Sequence, residues 1–187
     1  MNIHGRRIAI MATHGFEQAE LTEPLETLRG AGAQVDVIAP DAGEIQGFRH
    51  FEKGDAVKVD KTLAEAISDD YDAIVIPGGV HNPDALRINE KAIAFVHGFA
   101  KAGKTIAAIC HGPWVLVNAG LAKGRTLTSY QTIRVDLQNA GAKVVDQEVV
   151  VDGNFITSRQ PKDLPAFNRA IIEKLAERAK AEPETVE

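Results

Sequence analysis

The chain has 187 residues, 44% hydrophobic and 25% charged, a balance that fits one soluble globular domain and excludes a disordered or collagen-like polymer. Its net charge of −5 comes with no clustered Lys and Arg, which argues against a nucleic-acid footprint, and no apolar run approaches the ~18–20 residues of a membrane span. A domain of this size buries roughly 70% of its unfolded surface and needs no disulfide or metal staple.

Apolar runs of strand length alternate with segments of helical period. Arg6 to Ala12 reads as a strand, and Leu21, Leu25 and Leu28 place a helix over Gln18 to Ala31. Gly30 and Gly32 end it, and Gln34 to Ala39 forms the next strand before Pro40. Asp41 to Asp60 is broken into short Gly-punctuated pieces that predict a small hairpin. A short helix is expected over Thr62 to Ile67, then a buried strand from Asp72 to Ile76 closed by Pro77-Gly78-Gly79. Helix Asn89 to Ala102, strand Thr105 to Ile109 and helix His111 to Ala119 follow.

The spacing predicts a further helix from Tyr130 to Asn139. Glu148 to Val151 and Asn154 to Thr157 flank Asp152-Gly153 as a hairpin. A last helix from Asp163 to Ala179 turns Leu164, Phe167, Ile171 and Leu175 inward, and a polar tail starts near residue 181. Near-continuous apolar strands between helices imply a mostly parallel sheet covered on both faces. In such sheets ligands bind at the carboxyl ends of strands, which singles out Thr13 to Glu17, Pro77 to Asp84 and Cys110 to Trp114.

The single cysteine, Cys110, stands in Ala108-Ile109-Cys110-His111-Gly112. Small residues two before and two after match a nucleophile elbow, a tight strand-to-helix turn that presents the side chain at the sheet edge. The following helix start is expected to favour thiolate and lower the thiol pKa. All six histidines lie at or before position 111, so nothing downstream supplies the His-x-Glu pair of a glutamine amidotransferase triad. His111 is the economical base. Glu17, at the end of the first strand, offers a carboxyl to the thiol, and Pro77-Gly78-Gly79 can bring backbone amides to an oxyanion. No dinucleotide or P-loop motif occurs, and no His or Cys pair has metal-ligand spacing. No cofactor or metal is therefore expected.

The chain resembles the PfpI family, the intracellular-protease-like branch of the superfamily that includes the parkinsonism-associated deglycase. The resemblance rests on Gly15-Phe16-Glu17, Ile76-Pro77-Gly78-Gly79, Pro83-Asp84-Ala85-Leu86-Arg87, Ala107 to Pro113, Gly124 to Tyr130, Val149 to Asn154 and Thr157-Ser158-Arg159, in order from about residue 6 to 175. It implies a single domain, a flavodoxin-like three-layer α/β sandwich of the class I glutamine amidotransferase type, with Cys110 at the elbow. It further implies that Glu17 hydrogen-bonds the sulfur, that the amides of Gly79 and His111 bind the oxyanion, and that Asp84 of a neighbouring subunit orients His111. Gly78, Trp114 and Tyr130 are expected to border the pocket.

The expected function is a cysteine-dependent hydrolase or lyase acting on a small carbonyl compound or a peptide, as peptidase or deglycase/glyoxalase, in stress protection. The alternative is a redox-sensing stress protein or holdase, since a cysteine beside a carboxyl also suits reversible oxidation. A homodimer, possibly extended to a hexamer, is the expected assembly. A lone thiol and an amino terminus without a signal-peptide pattern point to the cytoplasm.

Overall fold

The computed structural model describes residues 1–181; the polar tail after that lies outside the described residues. The chain runs β1 (Arg7–Met11), β2 (Phe16–Glu17), α1 (Gln18–Gly30), β3 (Gln34–Ala39), β4 (Glu44–Arg49), β5 (Glu52–Lys58), β6 (Lys61–Thr62), β7 (Ala73–Ile76), α2 (His81–Leu86) and α3 (Glu90–Lys101). It continues through β8 (Thr105–Ile109), α4 (Pro113–Asn118), β9 (Thr126–Leu127), α5 (Arg134–Asn139), β10 (Lys143–Val144), β11 (Val149–Asp152), β12 (Phe155–Ser158) and α6 (Leu164–Ala181).

The main sheet has the order β11-β12-β8-β7-β1-β3-β6, parallel throughout except for the antiparallel edge strand β11. Its parallel core, β3-β1-β7-β8-β12, has the flavodoxin order, in which the direction of winding reverses beside the first strand. The reversal falls between β1 and β7, so the loops leaving their carboxyl ends part and open a crevice. Cys110 follows β8, the next strand over.

Period-two alternation divides the strands between two cores. Ile8 and Ile10 of β1, with Val75 and Ile109, pack beneath Leu21 and Leu28 of α1 and Phe167, Ile171 and Leu175 of α6. Ala9 and Met11, with Ile74, Ile76 and Ile106, pack against Phe95, Val96 and Phe99 of α3, Leu116 of α4 and Leu137 of α5. The α3 start is capped by the Asn89 side chain, whose oxygen accepts from the Ala92 amide at 3.0 Å. Outside the main sheet, β2 pairs with the antiparallel β4–β5 hairpin.

Two local expectations differ from the structure. Thr62 to Ile67 forms no helix: Thr62 lies in edge strand β6, and a turn follows in which its carbonyl accepts from the amides of Glu65 and Ala66. The Glu65 carboxylate takes the Thr62 amide and hydroxyl, both at 2.8 Å, so local side-chain bonds hold a turn in place of a helix. In the second case, α2 occupies His81–Leu86, where the sequence has no legible helical period.

Candidate active site

Cys110 follows directly on β8, with φ of +63°. Left-handed backbone is costly for a non-glycine residue, and bonds to two neighbouring segments hold this one in place. Its amide donates to the Ser158 carbonyl at 3.0 Å and its carbonyl accepts from the Tyr130 amide at 2.9 Å. The turn closes only over glycines. A Cβ on Gly78 would sit 2.6 Å from the Cys110 Cβ, and one on Gly112 would sit 2.5 Å from the Ile76 carbonyl oxygen.

The carboxyl against the thiol is that of Glu20, in the first turn of α1. Glu20 is fully buried, and its Oε2 accepts from the Gly78 amide at 2.7 Å. The carboxyl also interacts with the Cys110 side chain, while Oε1 has no partner of ordinary hydrogen-bond geometry among the described residues. Burial pushes the Glu20 pKa up to about 8 against the opposing pull of the Gly78 amide, so at neutral pH it is mainly the neutral acid. Burial, and next the charge of an ionised Glu20, push the Cys110 thiol up. This corrects the expectation of a thiol lowered by the following helix start. The lowering influences that do act are the Gly79 and His111 amides, which hydrogen-bond the sulfur.

His111 Nδ1 lies 3.3 Å from Cys110 Sγ, and Nε2 lies 3.3 Å from the Thr132 hydroxyl oxygen. The ring stacks on Tyr130 with centroids 5.0 Å apart and meets Trp114 edge-on at 5.2 Å. Burial lowers the His111 pKa and keeps the imidazole neutral at neutral pH. A cleft of about 790 Å³ opens over the sulfur, lined by Cys110, His111, Glu17, Glu20, Gly79 and Tyr130 together with residues of the β4–β5 hairpin, among them Phe48, His50 and Phe51. Among the described residues, no group of three His, Cys, Asp or Glu side chains converges to hold a metal ion.

Asn82 fixes the crevice. This buried side chain accepts from the Thr13 amide at 2.7 Å and donates to the Pro77 and Gly78 carbonyls at 2.9 and 3.1 Å. It ties the end of β1 to the end of β7 across the point where the winding reverses.

Comparison with known proteins identifies the family and the fold. The DJ-1/PfpI family model matches residues 6–174. The chain belongs to the DJ-1/PfpI family. It is 43% identical over 173 residues to Protein/nucleic acid deglycase 2 of Escherichia coli, covering 91% of this chain and 98% of that one. It is 44% identical over 176 residues to General stress protein 18 of Bacillus subtilis, covering 91% and 99%. Among solved structures, Drosophila melanogaster DJ-1beta superposes with a TM-score of 0.83 at 32% identity, covering 97% of both chains.

In this DJ-1/PfpI member the structure brings together Cys110, His111, the Gly79 amide and Tyr130. It separates the others. Glu17 lines the cleft but does not meet the sulfur. Its Oε2 accepts from the His50 amide at 3.1 Å, and Glu20, one helical turn further on, takes the place expected for it. Trp114 does not line the cleft: it packs behind His111, donates from Nε1 to Asp136 at 2.7 Å and carries the Arg87 guanidinium over its ring at 4.9 Å. Gly78 lies under the cleft floor as the donor to Glu20. Asp84 is exposed on α2, and within one chain the partner of His111 Nε2 is Thr132.

Sequence reasoning missed Glu20, Asn82 and Thr132. For Glu20 a signal existed: it falls on the same face of α1 as Pro24 and Leu28, so a carboxyl stood on a buried stripe. Asn82 and Thr132 gave none, because single polar residues in short irregular segments have no periodicity to betray them.

Proposed function

We propose that the protein is a cysteine-dependent hydrolase or lyase of carbonyl adducts, of the deglycase type, serving in stress protection in the cytoplasm. The observation that carries this reading is a cysteine in left-handed backbone, held between a buried carboxyl and a neutral imidazole at the floor of an open cleft. The relatives named as a deglycase and a general stress protein support it.

His111 Nδ1 takes the thiol proton, and the thiolate is held by the Gly79 and His111 amides and by the acid proton of Glu20. Sulfur then adds to the electrophilic carbon. The C–S bond forms, the carbonyl pair moves onto oxygen, and in this proposal the Gly79 and His111 amides, released as the sulfur loses its charge, take up that of the oxygen. The oxyanion pair re-forms the C=O as the C–N or C–O bond breaks, and the His111 imidazolium protonates the departing amine or oxygen. Water then adds to the sulfur-bound carbon and breaks the C–S bond. With a free 2-oxoaldehyde, which has no leaving group, the oxyanion is protonated and the imidazole carries the C–H proton to the neighbouring carbonyl carbon, giving a thioester that water cleaves. For Nδ1 to be the base, Nε2 carries the hydrogen and Thr132 accepts it. A redox-sensing role asks for an exposed thiol of low pKa. Cys110 is 7% exposed, which disfavours oxidation from bulk solvent, and its raised pKa makes the neighbouring His111 base a requirement for the thiolate chemistry.

For the assembly, the proposal is a dimer in which the exposed Asp84 of one subunit approaches His111 of the other. The test of the activity compares wild type with Cys110→Ala on methylglyoxal and on a fluorogenic peptide. Loss of turnover in the variant supports the reading, and equal rates in the two proteins refute it.

A further inference from the structure

Three features of the cleft are not used by the chemistry just described: its size, the apolar residues at its mouth, and the placement of Glu17. At about 790 Å³ it falls in the range that encloses drug-sized ligands, far more room than a three-carbon dicarbonyl fills. Its open side presents Phe48, Phe51 and Val80. Within a single chain Phe51 is 100% exposed and Val80 59% exposed, so no residue of the chain itself covers these two large apolar side chains at the entrance to a site whose floor holds the proposed nucleophile. A ligand with an apolar body would cover them.

The charges facing the cleft are the carboxyls of Glu17 and Glu20, together with four imidazoles, His14, His50, His81 and His111; among the described residues no Lys or Arg lines it. A substrate carboxylate entering here finds no permanent cation to pair with, and it meets Glu17. Glu17 has a second effect. Its Oε2 takes the amide of His50 at 3.1 Å and lies 3.9 Å from His50 Nδ1, and His50 itself is held at φ +59°. These contacts pin the tip of the β4–β5 hairpin and with it the adjacent Phe51.

We infer that the cleft selects carbonyl substrates bearing a bulky, uncharged apolar group and discriminates against those bearing a carboxylate, with Phe51 as the specificity-determining contact and Glu17 as both the anion-excluding charge and the positioning residue for Phe51. This inference rests on the reading of Cys110 as nucleophile and adds the substrate class.

The experiment has a turnover arm and a binding arm. In the first, kcat/KM is measured for phenylglyoxal, methylglyoxal and 4,5-dioxopentanoate, which share a 2-oxoaldehyde and differ in whether an aryl, methyl or carboxylate-bearing group flanks it. Wild type is expected to favour the aryl compound over the methyl one by about tenfold and to disfavour the carboxylate by about tenfold, the size of discrimination that one apolar contact or one uncompensated charge supplies. Phe51→Ala brings the aryl-to-methyl ratio toward one through KM, and Glu17→Gln raises 4,5-dioxopentanoate relative to methylglyoxal. In the second arm, Cys110→Ala, which lacks the nucleophile, is titrated with acetophenone, acetone and pyruvate by NMR, and the order of affinity is expected to be the same. Turnover without this order, or ratios unmoved in both variants, overturns the inference and leaves the nucleophile standing. Ordered binding in Cys110→Ala with no wild-type turnover of any probe supports the inference and overturns the nucleophile.

Discussion

Cys110 and Glu20 are both buried and share a short span of low-dielectric interior, so each protonation state of one sets the cost of ionising the other. A neutral Glu20 lets the sulfur carry charge; an ionised Glu20 opposes it. His111 completes the set, and its useful tautomer depends on Thr132, whose hydroxyl oxygen lies 3.3 Å from Nε2. Replacing Thr132 with Val removes that acceptor at nearly constant volume. We expect kcat/KM to fall roughly five- to tenfold, the worth of one hydrogen bond of about 1 kcal/mol, with Thr132→Ser recovering most of it. Equal pH–rate profiles for all three proteins would show that Thr132 does not set the tautomer. The elbow was legible at this scale because a cysteine directly after an apolar strand, with small residues on both sides, fits a tight strand-to-helix turn and little else. The identity of its carboxyl was not. Glu17 and Glu20 lie three apart, but Glu17 ends β2 in extended backbone while Glu20 stands in the first turn of α1 on its buried face, a difference decided by where the helix starts and how it packs.

Among elements, those with an apolar run or stripe were readable, including the short β11–β12 hairpin and α4, and the misses fell on short segments without one. The bounds of β3 and β8 match their apolar runs residue for residue, and α1, α3 and α6 follow their leucine, phenylalanine and isoleucine stripes. The missed α2 has six residues, too few for a stripe, and its formation owes more to Asn82 than to local propensity. The buried Asn82 side chain satisfies one amide and two carbonyls in the loops after β1 and β7. Asn82→Ala would remove the side-chain partner of the Thr13 amide and the Pro77 carbonyl and leave the Gly78 carbonyl with only the long bond from the Glu17 amide, at a cost of about 2–3 kcal/mol. The expected result is a lower denaturation midpoint together with reduced activity, since the same loops carry Gly78 and Gly79. An unchanged midpoint would show that water replaces the side chain without loss.

For the whole molecule, the flavodoxin order of the sheet gathers the three strand ends at one edge, and this followed from the alternation of apolar strands with helices. What one chain's sequence does not contain is the contact between copies. Asp84 is exposed within the chain and takes no part in the His111–Thr132 contact. If it serves the neighbouring subunit, Asp84→Ala and Cys110→Ala are each impaired alone, and mixing and reassembling them restores activity, because the mixed dimer holds one intact site. No restoration after subunit exchange would place the whole site within one chain.

The proposed mechanism turns on Glu20 acting as a protonated partner of the Cys110 thiolate. Its pKa of about 8 means that the proton is present below that pH and lost above it. Wild-type kcat/KM should therefore fall on the alkaline side near pH 8, and on the acid side once His111, lowered by burial, becomes protonated. The deciding measurement is the pH dependence of kcat/KM in Glu20→Gln and Glu17→Gln. The glutamine at position 20 keeps a donor that cannot ionise, so the alkaline fall should disappear there and persist in Glu17→Gln. An alkaline fall retained in Glu20→Gln, or abolished in Glu17→Gln, would contradict the account.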